Sequence, residues 1–137
     1  MMTGLDTNVI IRFLMKDDAE QAAQASAVFA EFTTAAPGFV SREVLVELVW
    51  VLQKIYRLPR TDIADAIEGL LGARELVVES ADRVAVAVDR LRKGGAGFAD
   101  QMIALAGQGA GCVKTVTFDR KAASLPGMTL LGAESDH

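Results

Sequence analysis

With 137 residues, 51% of them hydrophobic, the chain is the size of one domain and has enough apolar material for a proper core, which excludes disordered and repeat classes. A single cysteine, Cys112, excludes an internal disulfide framework, and one histidine, His137, leaves no His/Cys set for zinc, so any metal has to be held by oxygen. The net charge of −4, from 14 Lys+Arg against 18 Asp+Glu, argues on its face against a nucleic-acid partner.

Met2 to Leu5 reads as a short buried strand, and Asn8 to Leu14 continues as an apolar helical turn or two. Ala19 to Ala35 is alanine-rich, with Ala22, Ala23, Ala27, Phe29, Ala30 and Phe32 near helical spacing, until Pro37-Gly38 ends it. Phe39-Val40 is strand-like, and Ser41 is placed as the N-cap of a long helix through about Tyr56. Its stretch around Glu47 is the longest apolar run, too short and interrupted to span a bilayer. Leu58 to Asp62 reads as a turn and a fresh N-cap, opening a helix that stops near Gly72.

Leu76 to Val78 is the next strand, followed by a helix from Ser80/Ala81 to Lys93 with Val84, Ala87, Val88 and Leu91 as its apolar stripe. Gly94 to Gly97 is a flexible loop, Phe98 to Ala110 a helix with Gly111 as its C-cap, and Val113 to Thr117 a strand. Asp119 to Ser124 is a short helix, Pro126-Gly127 a turn, and Met128 to Leu131 the last strand. Strands alternating with helices imply one α/β domain over 1–137, a three-layer α/β/α arrangement around a central parallel sheet, with its crevice at the carboxyl ends of the strands. The N-terminus lacks the basic-then-apolar order of a secretory signal, so a soluble, cytoplasmic protein is expected.

Four acids fall where such a sheet gathers side chains: Asp6, Glu47, Asp100 and Asp119. Clustered carboxylates repel one another unless a hard divalent cation sits among them. Each also has an ordinary reading. Asp6 and Asp119 are placed as N-caps, and the macrodipole favours Asp100 in the first turn of its helix. Glu47 differs, since apolar residues surround it from Val44 to Leu52 and a buried carboxylate needs a cation or a raised pKa. Glu43, one turn earlier, is the rival, explained by its place just after Ser41. Helix caps gather at the same sheet edge as a metal site, so spacing alone leaves both readings open. Eighteen acids less these four leave 14, equal to the basic residues. With the four neutralised, Arg83, Arg90, Arg92, Lys93, Lys114, Arg120 and Lys121 can face a phosphate backbone, or serve as ordinary solvated positions.

The chain resembles a PIN-domain ribonuclease of the VapC toxin type along nearly its whole length. Leu5-Asp6-Thr7-Asn8-Val9 is similar to the family's opening motif, Val44 to Leu48 to its Glu-bearing helix, Asp100 to Ala104 to its third motif and Thr117-Phe118-Asp119 to its closing one. The resemblance implies that Asp6, Glu47, Asp100 and Asp119 are catalytic and bind Mg²⁺ or Mn²⁺, with Asn8 and Thr117 in support. It implies an endoribonuclease that hydrolyses RNA phosphodiesters with metal-activated water, leaving a 5′-phosphate and a 3′-hydroxyl. It also implies a homodimer and a VapB-type antitoxin, through which alone DNA is contacted, and no membrane. One departure stands out: many relatives have an Asp three residues before the third-motif acid, where this chain has Gly97.

The same residues admit other readings. A haloacid-type phosphatase wants an Asp in place of Asn8, and a phosphotransfer receiver wants a late buried lysine, for which Lys114 is poorly placed. A catalytically weak or inactive PIN scaffold that only binds protein or RNA is the alternative that Gly97 keeps open. Trp50 is expected in the core and Cys112 as a small buried hydrophobe. The helices around Ala19 to Ala35 and Leu48 to Gly72, rich in small and aliphatic side chains, mark a protein interface if exposed.

Overall fold

Strands β1 (Thr3–Gly4), β2 (Gly38–Val40) and β3 (Leu76–Val78) lie side by side in chain order, all parallel, with Thr3 opposite Gly38 and Gly38 opposite Leu76. The computed structural model describes residues 1–132, so His137 lies outside the described residues. The chain divides into two compact units, Met1–Ala81 and the segment from Asp82 onward.

In the first unit, helices α1 (Thr7–Met15) and α2 (Ala19–Glu31) join β1 to β2, and α3 (Arg42–Lys54) and α4 (Arg60–Gly72) join β2 to β3. The apolar side chains of α3 and α4 recur at helical spacing, and those on one stripe go inside: Leu45, Leu48, Val49 and Leu52 from α3, Ile63, Ala64, Ile67 and Leu70 from α4. Phe13 of α1 stacks on Phe29 of α2 at 4.0 Å between ring centroids, and Phe32 meets Phe29 edge-on at 5.6 Å. Gly38 is required by this packing. A Cβ there would stand 2.6 Å from the Phe32 ring and 2.9 Å from Leu76.

In the second unit, α5 (Ala81–Arg92) buries Val84, Ala87, Val88 and Leu91, the stripe expected from sequence. Helix α6 (Phe98–Gly109) follows, ending at Ala110 with Gly111 beyond it at φ +83°, the left-handed turn that glycine makes cheaply. Strands β4 (Thr115–Thr117) and β5 (Met128–Leu130) pair parallel with the short helix α7 (Arg120–Ala123) between them. Among the described residues all strand pairing is parallel, as expected, in a three-stranded ladder in the first unit and a two-stranded one in the second. Strands of two or three residues carry too little pattern to reveal their neighbours.

Several expectations need correction. Helix α2 stops at Glu31, short of Ala35, because Thr33 and Ala36 exchange backbone hydrogen bonds in a local turn, and the Thr33 hydroxyl accepts a further one from the Ala36 N–H. The cap of α4 is Pro59, with no side-chain bond, while Asp62 sits in the first turn where the dipole favours it. Glu47 is exposed, not buried. A helix lying on a sheet hides one stripe only, and Glu43, Glu47, Trp50 and Lys54 share the outward face of α3. Trp50 is accordingly 54% exposed, and Cys112, in the loop after α6, is exposed as well.

Candidate active site

Parallel strands bring their carboxyl ends to one edge, and in the first unit that edge carries three acids. Asp6 follows β1 and opens α1, accepting a 2.7 Å hydrogen bond from the Thr7 N–H through Oδ1. After β2, Ser41 caps α3 by accepting from the Val44 N–H at 3.1 Å, which sets Glu47 in the second turn. Glu79 follows β3, and sequence reasoning missed it. Its Oε1 accepts from the Arg42 N–H at 2.9 Å and lies 3.4 Å from Arg42 Nε, so it fixes the start of the helix that bears Glu47.

The second unit carries the other two. Gly107 of α6 backs directly onto the Thr115 side chain at the start of β4. Asp100 lies in the first turn of α6, and Asp119 follows β4 and opens α7. Asp119 Oδ1 caps α7 by accepting from the Lys121 and Ala122 N–H groups at 2.8 and 3.1 Å. The Thr117 hydroxyl accepts from the Asp119 N–H at 3.0 Å, which holds that turn. Thr117 thus holds the backbone at Asp119. Asn8 is exposed on α1 and lines a shallow groove with Arg12, Gln21 and Gln24.

Both readings of the aspartates hold together, because each cap uses one oxygen. Among the described residues Oδ2 of Asp6 and Oδ2 of Asp119 take no hydrogen bond, and Glu47 and Asp100 have neither hydrogen bond nor ion pair. Two further oxygens stand out beside these acids. Thr7 (4% exposed) and Gln101 (2% exposed) are the buried polar residues of the core, and each directly follows a candidate acid. Thr7 Oγ1 and Gln101 Oε1 are buried without a hydrogen-bond partner, and the Gln101 amide donates only to the Ala96 carbonyl at 3.4 Å. Carboxylate, hydroxyl and amide oxygens are the donor types that a hard cation takes, but among the described residues no three or more His, Cys, Asp or Glu side chains come together in a group that could hold a metal ion. Asp6 and Glu47 belong to the first unit, Asp100 and Asp119 to the second.

The PIN-domain family model matches residues 4–127, spanning both units and all four acids. The chain belongs to the PIN-domain family. A search of curated proteins returned no match. The PIN domain carries a nuclease-type α/β/α fold with parallel strands, the fold class expected from the sequence, and PIN domains are in general metal-dependent nucleases that use Mg²⁺ or Mn²⁺. Among the described residues no helix is long and apolar enough to cross a membrane.

Proposed function

We propose that this PIN domain is an Mg²⁺- or Mn²⁺-dependent endoribonuclease of the VapC toxin type, acting in the cytoplasm and held in check by a cognate VapB-type antitoxin. The observation that carries the reading is the set of acids at the family's motif positions, each with at least one oxygen left free of internal hydrogen bonds. In this proposal Asp6, Glu47, Asp100 and Asp119 are the ligands of the cation. The bound ion supplies Lewis-acid charge at the scissile phosphate and acidifies the attacking water. The protein's own part is positional. The backbone N–H groups of Thr7, Lys121 and Ala122 fix one oxygen of Asp6 and Asp119 and turn the other outward, and Glu79 anchors the helix that presents Glu47.

An apolar groove in the first unit supports the partner half of the proposal. Phe29 and Ala30 of α2 and Leu70 of α4, helices whose small and aliphatic side chains suggested an interface, line it together with Phe13 and Leu14 of α1 and Leu76 of β3, with Asp65 and Glu75 at its rim. A segment of the antitoxin is assigned to it, and a second copy of the chain completes a homodimer that meets DNA only through the antitoxin. Gly97 favours a second reading, a catalytically weak scaffold that binds protein or RNA. It begins α6 with no side-chain cap where many relatives place an Asp.

Purified without its antitoxin, the protein is expected to cleave single-stranded RNA with Mg²⁺ or Mn²⁺ and to be silent in EDTA. It should arrest growth when expressed alone and copurify inactive with the neighbour-encoded partner. A chain that is monomeric, harmless and inert toward RNA with either metal leaves the scaffold in its place.

A further inference from the structure

The chain has six phenylalanines, one tyrosine and one tryptophan. Most are at least partly withdrawn from solvent: Phe13, Phe29 and Phe32 pack on one another, Phe98 is buried, and Phe39 and Tyr56 are half-buried. Trp50 and Phe118 break the pattern at 54% and 82% exposed. A lone exposed apolar side chain needs no explanation, but these two have the same surroundings in different local structures. Trp50 follows Glu47 by three residues on the outward face of α3, a spacing that puts their Cβ atoms about 5–6 Å apart. Phe118 directly precedes Asp119 in the turn from β4 to α7.

Each ring also has an exposed ammonium close by in the chain. Lys54 lies one turn beyond Trp50, on the side away from Glu47, and Lys121 lies three residues beyond Phe118, just past Asp119. Neither lysine side chain has an internal partner among the described residues. Each unit thus sets a proposed ligand, an open aromatic face and a free cation within a few residues of one another. We propose that Trp50 and Phe118 are stacking platforms for the bases of single-stranded RNA, with Lys54 and Lys121 holding the flanking phosphates. The choice of polymer rests on the ribonuclease reading above; the choice of residues does not.

The chemistry fits a single strand in particular. Every unpaired base offers a π-face, whereas a duplex hides its faces inside the stack. Phosphates next to those bases are attracted by the lysines and repelled by the carboxylates until a cation intervenes, which draws the strand toward the acids only when metal is bound. The backbone beneath both rings is anchored. Trp50 sits in the third turn of a helix whose opposite face is core, and the Thr117–Asp119 hydrogen bond braces the turn at Phe118.

Trp50 is the only tryptophan, so emission of the wild-type protein reports on it directly. The experiment titrates a short unstructured RNA into the full chain with Ca²⁺ in place of the active metal, and follows emission and affinity. Emission should be quenched. Trp50→Ala and Phe118→Ala should each weaken binding roughly five- to 150-fold, the range of one lost base stack. Trp50→Phe and Phe118→Tyr, which keep a ring, should bind close to wild type, and duplex RNA should be indifferent to all four changes. In cleavage the alanine variants should raise KM and leave kcat in place. Unchanged emission at saturation, with both alanine variants binding as wild type, overturns the proposal. So does loss of self-association with RNA affinity intact, because the rings would then cover a second copy. A chain that stacks RNA without cleaving it defeats the proposed activity and leaves the platforms standing, and one that cleaves with KM unmoved in both variants does the reverse.

Discussion

A carboxylate at a helix N-terminus ordinarily accepts from backbone N–H groups, and Asp6 and Asp119 do so with one oxygen each. Asparagine keeps that carbonyl oxygen and removes the charge. Asp6→Asn and Asp119→Asn should therefore hold their melting temperatures while cleavage falls on the order of 10²–10³-fold, as when one charge-stabilising group is taken from an active site. Asp119→Ala removes the cap as well and should cost about 0.5–2 kcal/mol in denaturant unfolding. Cleavage left unchanged in both asparagine variants would mean that the acids serve as caps and nothing else. A different pair controls the pH response. Tyr56 donates a 2.7 Å hydrogen bond to Asp17, which, with a smaller contribution from Arg12, holds the Asp17 carboxyl below its ordinary 3.8. The same bond raises the Tyr56 hydroxyl above 10.0. A depressed carboxyl stabilises the fold above its ordinary pKa and loses that contribution as pH falls through the lower folded value. A raised phenol stabilises below 10.0 and loses its share as pH climbs through the folded value. Tyr56→Phe should lower Tm across the neutral region, where both contributions are present, and change it little at the acid and alkaline extremes, where they are already lost, so that the profile of Tm against pH flattens.

At the scale of elements, Gly38 shows how tightly β2 is enclosed. Gly38→Ala pushes a methyl group into the Phe32 ring and Leu76, and should cost about 1–3 kcal/mol of stability by chemical denaturation. A neutral result would mean that the Phe32 ring swings aside freely. Helix α3 gives the sharper functional contrast: Glu47→Gln should lose activity, whereas Glu43→Gln should cost only a dipole interaction of about 0.3–1 kcal/mol. Reversed effects would move the ligand one turn toward the N-terminus. Much of this level was legible in the sequence. The spacing of Val84, Ala87, Val88 and Leu91 gave the buried stripe of α5, and Ser41, Asp119 and Gly111 marked helix ends because their chemistry is local. What failed was non-local. Trp50 and Glu47 sit among residues apolar enough to make every face of α3 look buried, and only the sheet decides which stripe is covered. Thr7 and Gln101 gave no signal beyond standing next to an acid, since an unsatisfied oxygen is a property of its enclosure.

For the molecule as a whole, the family match runs through the boundary between the two units, while each unit holds two of the four acids. Candidate site residues were nameable because the motifs fix their order along the chain; how the strands pair was not, because ladders of two or three residues leave no periodicity to read. The double use of Asp6 and Asp119 gives a way to watch the set at work. A cation on Oδ2 restrains the carboxylate whose Oδ1 holds the first amides of α1 and α7, so occupancy should slow the local opening that lets those amides trade hydrogen for deuterium. Thr7 reports for one unit, Lys121 and Ala122 for the other. In a Mn²⁺ titration followed by deuterium uptake, one ion shared by all four acids should protect both helix ends with a single midpoint. Two midpoints would show that each pair fills independently, and protection of neither end would take both aspartates out of the metal's reach.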